Sequence, residues 1–101
     1  MEKIFVGMAD DFEGEKVKVV RVGKHDVTVC FHEGRYHAFK DACPHQSQPL
    51  SRGTVANGVV TCPGHNWQFD LTTGKCLKGD REISLRQYDV VIENNRVFIR
   101  A

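Results

Sequence analysis

A chain of 101 residues can bury one hydrophobic core but not two, which leaves no room for a flavin, nicotinamide or second iron domain. Fourteen basic against thirteen acidic side chains give a formal charge of +1, without the basic excess of a nucleic-acid surface. No run approaches the eighteen or so apolar residues of a membrane span, and Met1-Glu-Lys-Ile-Phe-Val-Gly7 lacks the apolar stretch of a signal peptide, so the chain reads as cytoplasmic, with no membrane and no nucleic-acid partner.

Strand signals predominate along the chain. Helical periodicity is absent, and Ala9 to Phe12 offers at most one short turn. Glu15 to Val22 alternates, with Val17 and Val19 on one face and Lys16 and Lys18 on the other. His25 to His32 also alternates and groups Val27, Val29 and Phe31; Glu33-Gly34 then turns the chain into Arg35 to Lys40. Val55 to Val60 reads as a hairpin around Asn57-Gly58, a pair that accepts positive φ at both turn positions. Thr72-Thr-Gly74 is a turn, and Asn94-Asn95 joins Tyr88–Glu93 to Arg96–Arg100. The fold class is all-β: a small antiparallel barrel or sandwich base with an inserted subdomain. Residues 1–40 and 78–101 would form the base, and 41–77 the insert, within one domain.

The insert carries the chemistry. Cys43-Pro-His45 and Cys62-Pro-Gly-His65 each pair one thiolate with one imidazole, sixteen residues apart. Two sulfurs and two nitrogens suit a two-iron two-sulfur centre, with Cys43 and Cys62 on one iron and His45 and His65 on the other. The same four donors could hold a tetrahedral structural zinc, although zinc pairs usually stand two to five residues apart and Cys43 and His45 are separated by one. The other histidines, His25, His32 and His37, have no ligand-spaced partner and read as surface or strand residues. Cys30 and Cys76 read as buried or half-buried thiols, since a disulfide does not suit a cytoplasmic chain.

The segment Cys43-Pro-His-Gln-Ser-Gln-Pro-Leu-Ser-Arg-Gly53 followed by Cys62-Pro-Gly-His-Asn-Trp-Gln-Phe-Asp70 resembles the cluster loops of Rieske proteins, and the flanking strands fit a small, soluble Rieske ferredoxin. The resemblance implies one 2Fe-2S cluster held by Cys43, His45, Cys62 and His65, with both imidazoles near the surface. It implies a one-electron carrier, not an enzyme, passing electrons from a flavin-dependent ferredoxin reductase to a terminal oxygenase, a ring-hydroxylating dioxygenase or related monooxygenase. The chain is taken as a monomer. Two alternatives stay open: the small subunit of an assimilatory nitrite reductase, and a zinc-stabilised interaction module.

Departures from the family pattern bear on potential. High-potential relatives tie their ligand loops with a disulfide, whose cysteines would fall at Gln48 and Gly64. They also donate serine and tyrosine hydroxyls to a bridging sulfide and a ligand sulfur, at positions held here by Trp67 and Phe69. The sequence therefore points to the low end of the Rieske range, about −150 to +300 mV. Ser47 replaces a frequent glycine, and the loop that often covers the cluster has another composition, leaving His45 and His65 either exposed or shielded by Leu77 and its neighbours. Lys40, Arg52, Lys75, Lys78 and Arg81 flank the loops, but Asp41, Asp70, Asp80 and Glu82 are interspersed, and the surface reads as mixed and solvated.

Overall fold

The computed structural model describes residues 2–14, 16–44, 48–64, 66–80 and 82–100. His45, Ser47, His65 and Arg81 lie outside the described residues.

Six antiparallel strands form the larger sheet: β1 (Lys3–Met8), β2 (Val17–Val22), β3 (His25–His32), β4 (Arg35–Lys40), β9 (Gln87–Glu93) and β10 (Arg96–Arg100). Their order is β1-β10-β9-β4-β3-β2, and β1 also packs against β2, so the sheet nearly closes into a barrel. The smaller sheet takes β5 (Thr54–Ala56), β6 (Val59–Thr61), β7 (Gln68–Asp70) and β8 (Cys76–Lys78) in sequence order. Among the described residues there is no α-helix; the expected turn at Ala9–Phe12 is a 3₁₀ turn. The Asp11 carboxylate accepts the Met8 N–H at 2.9 Å, and Phe12 is buried.

The tight turns fall where the sequence places them. Asn57 (φ 53°) and Gly58 (φ 74°), like Asn94 and Asn95, carry positive φ at both central positions, the twist that suits a two-residue hairpin. Three short or terminal elements were not expected. β1 lies in a segment that no alternation or turn residue marks as a strand, and β7 and β8 have three residues each, too few for an alternation to register.

On β2 the core takes the face opposite to the Val17/Val19 pair. Val22 is buried and Val20 half-buried, whereas Val17 and Val19 are 40% and 46% exposed. The doublet Val19-Val20 puts apolar side chains on both faces, and only the one turned into the barrel is covered. β3 buries both. Val27 and Val29 line the barrel interior with Val6, Phe12, Ala38, Val97 and Ile99. Cys30, on the other face, joins Phe39 in a second core with Cys43, Leu50, Val60, Cys62, Phe69, Leu71, Cys76 and Leu85. That second core joins the two sheets, and each fully buried Phe or Leu in it is worth about 1.5–3 kcal/mol.

Candidate metal centre

Two loops present the cysteines, and both close in the same way. The first leaves β4 and returns in the 3₁₀ turn Leu50–Arg52. The Cys43 N–H donates to the Gln48 carbonyl at 2.8 Å. The second connects β6 to β7, and the Cys62 N–H donates to the Trp67 carbonyl at 2.7 Å. In each case the backbone bond runs from the Cys of the motif to the carbonyl five residues on.

Each loop has a further brace. At the first, the Ser51 N–H and hydroxyl donate to the two oxygens of Asp41 at 2.7 and 2.9 Å, while the Asp41 N–H donates to the Asp26 carbonyl at 2.8 Å. The carboxylate thus ties the start of the loop to its end, and the backbone ties it to β3. At the second, the Trp67 indole lies against the backbone of Gly79, where a Cβ would overlap the ring; Gly79 also holds φ +129°. Only glycine satisfies both conditions.

Cys43 and Cys62 are each 1% exposed and share one core. Two buried thiols at the heads of two matched loops suit a pair of thiolate ligands to one iron. Among the described residues no group of three or more His, Cys, Asp or Glu is placed to hold a metal ion; the two imidazoles of the proposed set lie outside them. Leu77 is 46% exposed. Phe69 is fully buried, with Val60 and Cys76 as its cross-strand partners. Cys30 and Cys76 are buried thiols in the same core, and the Cys76 thiol donates to the Lys78 carbonyl at 3.3 Å.

The interspersed acids have local work. Asp70 accepts the Thr72 and Thr73 N–H groups at 2.7 and 3.0 Å, and Asp80 accepts the Glu82 N–H at 3.0 Å. They shape turns, which a charge count along the sequence does not reveal.

His32 carries a role that its spacing did not signal. It is 5% exposed, and its Nε2 accepts the Gly58 N–H at 2.9 Å, joining β3 to the hairpin that precedes Cys62. The Gly58 carbonyl in turn accepts the Leu71 N–H at 3.0 Å. Burial holds the half-buried His37 imidazole below its ordinary 6.5, outweighing a hydrogen bond to the Leu71 backbone.

Residues 2–89 match the Rieske [2Fe-2S] domain. The chain is 35% identical over 100 residues to the ferredoxin component of the alkene monooxygenase system of Xanthobacter autotrophicus, covering 98% of this chain and 81% of that one. Against the ferredoxin component of the naphthalene 1,2-dioxygenase system of Pseudomonas putida it is 34% identical over 94 residues, covering 93% and 89%. A solved chain from the complex of reduced oxygenase and oxidized ferredoxin in carbazole 1,9a-dioxygenase superposes with a TM-score of 0.88 at 26% identity, over 96% of this chain and 91% of that one. With a barrel-like base, a second sheet bearing two matched cysteine loops, and that match across most of its length, this chain belongs to the Rieske [2Fe-2S] domain family.

Proposed function

We propose that this protein is the electron-carrying component of an oxygenase system, taking single electrons from a flavin-dependent reductase and passing them to a terminal oxygenase. Its relatives are ferredoxin components of an alkene monooxygenase and of a naphthalene dioxygenase. The observation that carries the reading is the matched pair of loops, each closed by one Cys N–H and each placing its thiol in the same core.

Cys43 and Cys62 supply two thiolates, and His45 and His65 two imidazoles. The cluster, when bound, takes up and returns one electron between its two oxidation states. The chain's own part is to fix the ligands: Asp41 with Ser51 braces the first loop, and Trp67 against Gly79 braces the second. A rigid sheet beneath both loops limits their movement on electron transfer. All protein ligands being committed, no open position serves a substrate, which suits a carrier and not a catalyst. We further take residues 41–77 as the cluster-binding insert and 1–40 with 78–101 as its base, in a cytoplasmic monomer. Among the described residues no helix is long and apolar enough to cross a membrane.

Reconstitution with a purified reductase and oxygenase tests the assignment. The expected result is product formation that stops when this protein is omitted and returns with it. Turnover at an unchanged rate without it would overturn the assignment.

A further inference from the structure

A cleft of about 260 Å³ opens beside the first ligand loop, lined by Lys40, Ala42, Cys43, Pro44, Ser84 and Arg86. Its two charged residues are both cationic. Lys40 ends β4 and Arg86 immediately precedes β9, and the Lys40 N–H donates to the Arg86 carbonyl at 2.9 Å. The two side chains therefore leave the backbone from adjoining positions. Among the described residues neither is in an ion pair. Arg86 rests over the Tyr88 ring at 5.3 Å, which leaves its guanidinium edge able to donate. Asp41, next to Lys40 in the chain, turns both carboxylate oxygens to Ser51.

Pro44, Ser84 and Arg86 are exposed, so the walls open outward to a partner's surface. Cys43, otherwise shielded, contributes to the lining. Two cations that form no ion pair among the described residues, beside Cys43, attract carboxylates to that spot and raise the encounter rate of whatever bears them.

We propose that the Lys40–Arg86 cleft is a docking port for an acidic surface of an electron-transfer partner protein, bringing that partner beside Cys43. This rests on Cys43 being a cluster ligand. It gives the carrier a contact beside Cys43.

The test uses the cluster-loaded protein, reduced, with two small redox proteins as probes: acidic cytochrome b5 and basic cytochrome c. In each event one electron leaves the reduced carrier and converts one ferric haem to ferrous. Lys40→Glu and Arg86→Glu are compared with Arg96→Glu, an equal change of net charge. Arg96 pairs with Glu93, six residues along β9 from Gln87, or about 20 Å of strand.

At low ionic strength the two cleft reversals should each slow reduction of cytochrome b5 at least about threefold and should not slow cytochrome c. Arg96→Glu should do much less, and salt should erase the difference. Binding of zinc-substituted cytochrome b5, which cannot accept the electron, should weaken in parallel. Each variant's potential is measured so that driving force is separated from docking. Lys40→Gln and Arg86→Gln serve where a reversal lowers cluster content. Equal effects from Arg96→Glu, or none from the cleft, would overturn the port while leaving the carrier intact. A chain that takes up no cluster would overturn both.

Discussion

At position 69 a phenylalanine stands fully buried between Val60 and Cys76, where high-potential relatives place a tyrosine whose hydroxyl bonds a ligand sulfur. A hydrogen bond to a charged acceptor is worth about 1.5–3 kcal/mol, and a one-electron couple moves ~59 mV per 1.4 kcal/mol. Phe69→Tyr should therefore raise the potential by some tens of millivolts, and by at most about 130 mV. Voltammetry of both proteins at one pH, with a spectrum confirming the cluster, checks this; an unchanged or lower value would mean that a hydroxyl on this ring does not reach the ligand sulfur. Asp41 offers a second test. Asp41→Ala deletes both acceptors of Ser51 and should speed cluster loss to a chelator several-fold, whereas Asp41→Asn keeps one acceptor and should fall between it and wild type. The two cysteine motifs stand out in the sequence because their Cys–His spacing is specific, and the structure brings Cys43 and Cys62 into one core. Asp41, His32 and Gly79 do not, since a carboxylate's partner ten residues away or a ring lying on a glycine leaves no periodic trace.

Among elements, the two-residue hairpins were readable because Asn-Gly, Glu-Gly and Asn-Asn fix a backbone twist locally. The three-residue strands β7 and β8 were not, because no such turn joins them and they are held by β6 and by the core beneath them. The braces of the second loop give the sharpest test at this scale. Gly79→Ala drives a Cβ into the Trp67 indole from a backbone at φ +129°, and no flexible side-chain end lies there to yield. It should lower thermal stability and change the electron paramagnetic resonance line shape, since Trp67 also holds Cys62 through its carbonyl. Trp67→Leu combined with Gly79→Ala should recover part of the stability. His32→Phe removes the acceptor of the Gly58 N–H while keeping the ring volume, and should cost about 1–3 kcal/mol by denaturant titration. A neutral result would mean that water replaces the imidazole.

Over the whole molecule, the all-β architecture follows from alternation and turns, but which faces are buried does not. β3 looks half-polar along the sequence and is buried on both sides because the second sheet covers it. The same covering sets a pH dependence. Burial lowers the His37 pKa, outweighing the hydrogen bonds to the Leu71 and His32 backbones that raise it, and the Arg35 charge acts in the same direction as burial. The folded state therefore favours the neutral ring, and its contribution to stability is present above 6.5 and lost as pH falls through the lowered folded value. The melting temperature should drop on acidification below pH 6.5, less steeply in His37→Gln; parallel curves would place the effect elsewhere. The metal centre is tested most directly by iron and acid-labile sulfide analysis of anaerobically purified protein, with pulsed electron paramagnetic resonance of the reduced form. The expected result is two irons and two sulfides per chain, as the 2Fe-2S family requires, with coupling to two histidine nitrogens that is lost when His45 or His65 is replaced by alanine. A single zinc with no visible absorption, or a cluster showing no nitrogen coupling, would contradict it.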